Sequence, residues 1–160
     1  MSATASPRGF TLIETVVATS LLITALAGVA QLFMLSAQLT RQAGASGVAL
    51  AAAQEKLEEL RGLAFAYDEA GALITASNLA ASDSSSLDAD IAPHVEWLDA
   101  SGQASTAAAA AFVRRWRIST IGASPPESIA IEVCVFRAPA VRVDHRAADA
   151  CLFLARTRQP

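Results

Sequence analysis

"FTLIETVVATSLLITALAGVAQLFMLSAQL", residues 10–39, is the stretch that decides the fold. From Thr15 to Thr40 it carries no charged side chain, and Glu14 stands alone near its start. A membrane-spanning helix needs about 20 predominantly apolar residues, and this run exceeds that. The competing reading is a buried core helix. A 160-residue chain builds only a modest core, so an uncharged run of this length reads as a span. Working outward, MSATASPRG (1–9) is short and polar, with Arg8 as its only charged side chain. A secretory signal core is much shorter than the run that follows; any segment removed from this chain is the polar leader.

The helical pattern continues past the apolar run. VALAAAQEKLEELRGL (48–63) is rich in good helix formers. Leu50, Ala53, Leu57 and Leu60 recur at three- and four-residue spacing, which predicts one apolar stripe. Gly62 is the expected stop. A single helix over residues 10–61 has a length of roughly 75–80 Å at 1.5 Å per residue. Residues 64–111 read as irregular, with loops at LAASDSSSLDAD (79–90) and DASGQASTAAAAA (99–111) and a short strand at HVEWL (94–98). FVRRWRISTI (112–121), SIAIEVCVFR (128–137) and ACLFLARTR (150–158) are rich in β-branched and aromatic residues, and the turn-forming Gly122–Pro126 separates the first two. The expected fold class is α+β: a long N-terminal helix, membrane-embedded in its first half, packed on a small C-terminal antiparallel sheet of three or four strands. The expected division is a leader at 1–9, a span at 10–40, an amphipathic continuation at 41–63 and a globular head at 64–160.

Net charge is −3, too small to define a partner. Its distribution is uneven. Residues 64–111 hold seven acids (Asp68, Glu69, Asp83, Asp88, Asp90, Glu96, Asp99) and no Lys or Arg. Residues 112–160 hold eight Arg against Glu127, Glu132, Asp144 and Asp149. Such blocks steer a partner or neutralise each other within the fold. No catalytic constellation stands out: Asp144 and His145 have no nucleophile placed with them, and Ser124 is not in a nucleophile elbow. Asp83, Asp88 and Asp90 lack calcium-loop spacing, and the two cysteines lack zinc-site spacing. The sequence therefore predicts a non-enzyme with no cofactor and no metal.

Arg8-Gly9-Phe10-Thr11-Leu12-Ile13-Glu14, followed by the uncharged run, resembles the processing site of type IV pilins and type II secretion pseudopilins. LAAAQEKLEELRGLAF (50–65) is similar, more weakly, to the stalk end of minor pilins of the pilus-modification type. The resemblance implies cleavage after Gly9 by a membrane prepilin peptidase, N-methylation of Phe10, a cytoplasmic leader and a periplasmic head. It also implies partners: other pilins or pseudopilins, the prepilin peptidase and an inner-membrane assembly platform. Localisation would be the bacterial inner membrane, then a pilus or pseudopilus. The segment has no proline, so the kink seen in some pilins is not carried over. Independently, cleavage creates a cationic amine at Phe10, and Glu14 lies one helical turn on, where the positive helix end favours an acid. Intramembrane acids are costly and mark function, so Glu14 is expected to pair with a neighbour's Phe10 amine. The plainer reading of Glu14 is an acid that stabilises its own helix start.

A periplasmic head lies in an oxidising compartment. Cys134 shares a strand face with Phe136, and Cys151 with Phe153. A Cys134–Cys151 bridge would enclose about 16 residues and add roughly 3 kcal/mol; two buried free thiols are the alternative. In RRWR (114–117), alternation puts Phe112, Arg114, Trp116 and Ile118 on one face and Arg115 and Arg117 on the other. The expectation is a Trp packed on the helix with arginines reaching solvent or the acidic block. A basic-aromatic surface for nucleic acid, in a DNA-uptake filament, is the alternative.

Overall fold

The computed structural model describes residues 11–82, 85–122, 126–138 and 148–158. Helix α1 runs from Leu12 to Gly62 without a break. Thr11 starts it: its carbonyl accepts from the N–H of Glu14 (3.1 Å) and Thr15 (3.3 Å), and its Oγ1 accepts from Glu14 N–H at 3.4 Å. This is the N-cap arrangement that satisfies otherwise orphaned donors. Further along, the hydroxyls of Thr15, Thr19, Ser20 and Thr24 donate to carbonyls three or four residues back, at 2.6–3.0 Å. Back-bonding of this kind hides polar groups from an apolar surrounding. The large apolar side chains here are bare, with Leu12 82% and Phe33 72% exposed. From Thr15 to Thr40 the helix is uncharged and none of it is buried, so α1 is long and apolar enough to cross a membrane.

The chain divides into two units at residues 42 and 43. The second unit contains the remaining elements: β1 (Phe65–Tyr67), β2 (Leu73–Thr75), a 3-10 turn at Ser77–Leu79, β3 (Val95–Leu98), β4 (Phe112–Ile121), β5 (Ser128–Arg137) and β6 (Ala150–Thr157). β1 and β2 form a small hairpin. The main sheet has order β3-β4-β5-β6, antiparallel throughout. β4 and β5 match the ranges read from the sequence, because long runs of β-branched and aromatic residues leave little ambiguity.

One sheet face meets the helix. Phe112, Trp116, Ile118, Ile129, Ile131, Val133 and Val135 pack with Ala49, Ala52, Ala53 and Leu60. Small side chains make up most of the helix's share of this contact. Leu50 departs from the predicted stripe: it is 43% exposed, and the buried line is Ala49, Ala52, Ala53, Lys56 and Leu60. Large side chains suggested a stripe that passes through Leu50, whereas the face is chosen by where small residues admit the sheet. The other sheet face carries a second cluster, Val113, Cys134 and Phe136, covered by Leu87 from the acidic stretch that reads as a loop.

The 64–111 region is thus more ordered than its pattern predicts. The β1–β2 hairpin closes at Asp68–Gly71. Asp68 Oδ1 accepts from Ala70 and Ala72 N–H, and Gly71 takes φ 77°, a conformation that favours glycine. HVEWL does form a strand over Val95–Leu98.

Candidate functional site

The N-terminal candidate is only partly within the described residues. Gly9 and Phe10, the predicted cleavage and methylation positions, lie outside them, as do Asp83, Ser124, Asp144 and His145. Glu14 is exposed in the first turn of α1, and among the described residues it makes no ion pair. Thr11-x-x-Glu14 has capping-box spacing, and the Thr11 half of that contact is formed. Glu14 thus takes part in the helix start through its backbone N–H, and among the described residues its carboxylate has no ion-pair partner.

A cluster that the sequence reading did not single out sits in the head. β3 and β4 place Glu96 directly opposite Arg114. Arg114 Nε donates to Glu96 Oε2 at 3.0 Å, and its Nη2 makes a second, short contact to the same oxygen. Arg114 Nη1 also reaches the helix, donating to the Ala52 carbonyl at 2.7 Å. From α1, Lys56 Nζ donates to Glu96 Oε1 at 2.7 Å and to Glu59 at 2.9 Å, and lies 4.3 Å from the centre of the Trp116 ring. Lys56 and Arg114 are 5% and 7% exposed. Burial works against ionisation of Glu96, but hydrogen bonds and charge from Lys56 and Arg114 outweigh it and hold its carboxyl below the ordinary value. Burial also pushes the His94 imidazole below its ordinary value. The sequence did hold one signal: Arg114 shares a strand face with Phe112, Trp116 and Ile118, and a charge on an apolar face requires a partner.

The same cluster borders a groove of about 450 Å³ lined by Lys56, Glu59, Asn78, His94, Glu96 and Trp116 among others. Its cations and Glu96 are already committed to one another, so its chemistry is fastening. It ties α1 to β3 and β4.

The remaining arginines of RRWR are also engaged. Arg115, 2% exposed, donates to Asp90 Oδ1 at 2.8 and 3.0 Å and to the Leu87 carbonyl, which pins the acidic stretch over the second sheet face. Arg117 pairs with Glu132 directly opposite on β5 at 2.6 Å. Arg114–Glu96 and Arg115–Asp90 thus join the basic block to the acidic one, while Arg117–Glu132 pairs within the basic block. Trp116 packs on the helix as expected, and Arg114 and Arg115 reach the acidic block, at Glu96 and Asp90, where both arginines are buried.

Cys134 and Cys151 face each other across β5 and β6 and are joined as a disulfide. Cys134 is fully buried and Cys151 is exposed, so the bond links the second core cluster to the edge strand. No protein-family model, curated protein or solved structure matches the chain.

Proposed function

We propose that the chain is a minor pilin-like or pseudopilin-like structural subunit. Its leader is removed after Gly9 by a prepilin peptidase, Phe10 is methylated, and the first half of α1 holds the protein in the inner membrane with the head outside. From there it joins a type IV pilus-like filament, in priming or at the tip. One observation carries this reading. A capped helix start bears a single acid, leads into an exposed uncharged span, and continues as the central element of its own head. Such a helix supplies both a membrane anchor and an assembly surface, while the head fixes what the subunit displays.

Mass spectrometry of the chain recovered from cells that hold the peptidase tests the processing step: a methylated Phe10 terminus is expected, and a retained leader sinks it. Glu14→Ala is expected to insert normally but to enter filaments poorly; normal incorporation defeats the pairing role. The alternative, a DNA-binding subunit of an uptake filament, draws less support because Arg114, Arg115 and Arg117 are all held by acids.

A further inference from the structure

β6 forms one edge of the main sheet. The Arg158 N–H donates to the Glu127 carbonyl at 2.7 Å, which makes residues 127 and 158 a hydrogen-bonded pair. In an antiparallel ladder bonded and non-bonded pairs alternate. With the observed register, Ile129↔Arg156, Ile131↔Leu154 and Val133↔Leu152 are then bonded pairs. Cys151, Phe153, Ala155 and Thr157 consequently turn their N–H and C=O groups away from β5. These four residues are all exposed, and no described residue bonds their backbone. Free edges are usually blunted by Lys, Pro or a covering element. β6 contains neither Lys nor Pro, and Phe153 is 65% exposed.

The charge around this edge is also unusual. Among the described residues of the head, Lys56, Arg61, Arg114, Arg115, Arg117 and Arg137 each have a carboxylate partner. Arg156 and Arg158 do not. Arg156 donates to the Leu63 carbonyl, and Arg158 to the carbonyls of Ala66, Ile74 and Pro126. Arg158 is 91% buried by its 9% exposure, and its Nε has no hydrogen-bond partner. Buried charges are ordinarily paired. Along the edge runs a groove of about 460 Å³ lined by Arg61, Gly62, Leu154, Ala155, Arg156 and Thr157.

We propose that the β6 edge is a docking site for an extended, acidic segment of a partner protein, which adds as a further strand. Main-chain bonds to Cys151, Phe153, Ala155 and Thr157 hold the segment, Phe153 packs against its side chains, and its carboxylates answer Arg156 in the field of Arg158. Strand addition takes affinity from main-chain bonds and selectivity from alternate side chains. This inference stands on the head alone and is independent of how the N-terminus is processed.

The test uses the full chain in a zwitterionic detergent and a fluorescein-labelled peptide of 8 residues, the length of β6, alternating Glu with Val or Thr. Fluorescence anisotropy is expected to report saturable binding. Methylating alternate peptide amides is expected to weaken it at least tenfold, and replacing Glu by Lys is expected to do the same. Arg156→Glu is expected to weaken binding several-fold. Ala155→Pro removes an outward N–H that the fold does not use, and is expected to abolish binding with an unchanged melting temperature. Binding that survives amide methylation overturns strand addition even if Ala155→Pro fails to fold. Equal binding of the Lys peptide overturns the acidic partner. No binding up to about 1 mM peptide, a free energy of about −4 kcal/mol or weaker, overturns the site, and so does occupation of the edge by a second copy, read as a β6–β6 cross-link.

Discussion

Helix α1 contains two stretches that share a backbone and little else. Residues 12–42 present Leu, Val, Phe and Met to the outside all round, with hydroxyls folded back on their own carbonyls. Residues 43–62 bury a narrow line of alanines, one lysine and one leucine against the sheet and leave acids exposed. Exposed bulk suits a medium that is itself apolar. Close packing against strands needs small side chains, and a polar exterior suits water. The contrast teaches that hydrophobicity alone does not locate a core: the more apolar half of this helix is the half left exposed.

The comparison breaks most sharply if the ion cluster is removed. Glu96→Ala leaves Lys56 and Arg114 buried without their shared partner, which costs about 3 kcal/mol, the low end of the usual range because Glu96 keeps 35% of its side-chain surface exposed. Thermal melting of the detergent-solubilised chain, followed by Trp fluorescence, is expected to show that loss. An unchanged melt means the cluster does not fasten helix to sheet. Next in size is a matched pair of substitutions. Ala53→Leu inserts bulk where the alanine is fully buried and is expected to cost about 1–3 kcal/mol. Ala25→Leu adds the same bulk to the exposed span and is expected to leave the head's melt unchanged.

Acid provides a smaller and graded test. The folded-state value of Glu96 is lowered, so its contribution is complete above its unfolded value of 4.5 and is lost as pH falls through the folded value. His94 is also lowered, which disfavours its protonation in the fold, so stability begins to fall below its unfolded value of 6.5. Both effects have the same sign: melting temperature is expected to drop as pH decreases from about 6.5. Glu96→Gln should flatten the lower part of that slope and leave the His94 part in place. The smallest effect belongs to the other end of the molecule. Thr11→Ala removes the N-cap and costs about 1 kcal/mol or less. It is read as faster amide exchange in the first turn of α1 with no change in the head.

Much of this architecture was legible beforehand. β4 and β5 were read at their observed limits, and β6 to within a residue, since ten- and eight-residue runs of β-formers carry their own signal. The β1–β2 hairpin was missed because three-residue strands give too little alternation to detect; the Asp68–Gly71 turn was the available cue. Leu50 fits the sequence stripe by size and spacing, and the helix–sheet contact instead buries mostly alanines. The Lys56–Glu96–Arg114 cluster was invisible as a unit, although the apolar companions of Arg114 on β4 signalled that it needed an anion.

By itself, the sequence determined the properties that depend on neighbours along the chain: the uncharged span, the helix that follows it, the three long strands and the opposed charge blocks. Periodicity and composition act over a few residues, so they can be read without coordinates. Tertiary structure alone decided which helix face meets the sheet, which acid answers each arginine, and which strand is left as an edge. Those choices join residues 40 and 62 positions apart, as in Lys56–Glu96 and Ala52–Arg114. They depend on how closely whole surfaces can approach, and no local pattern encodes that. The bond between Cys134 and Cys151 joins the two levels: alternation placed each cysteine on its strand face, and only the register of β5 against β6 brought them opposite one another.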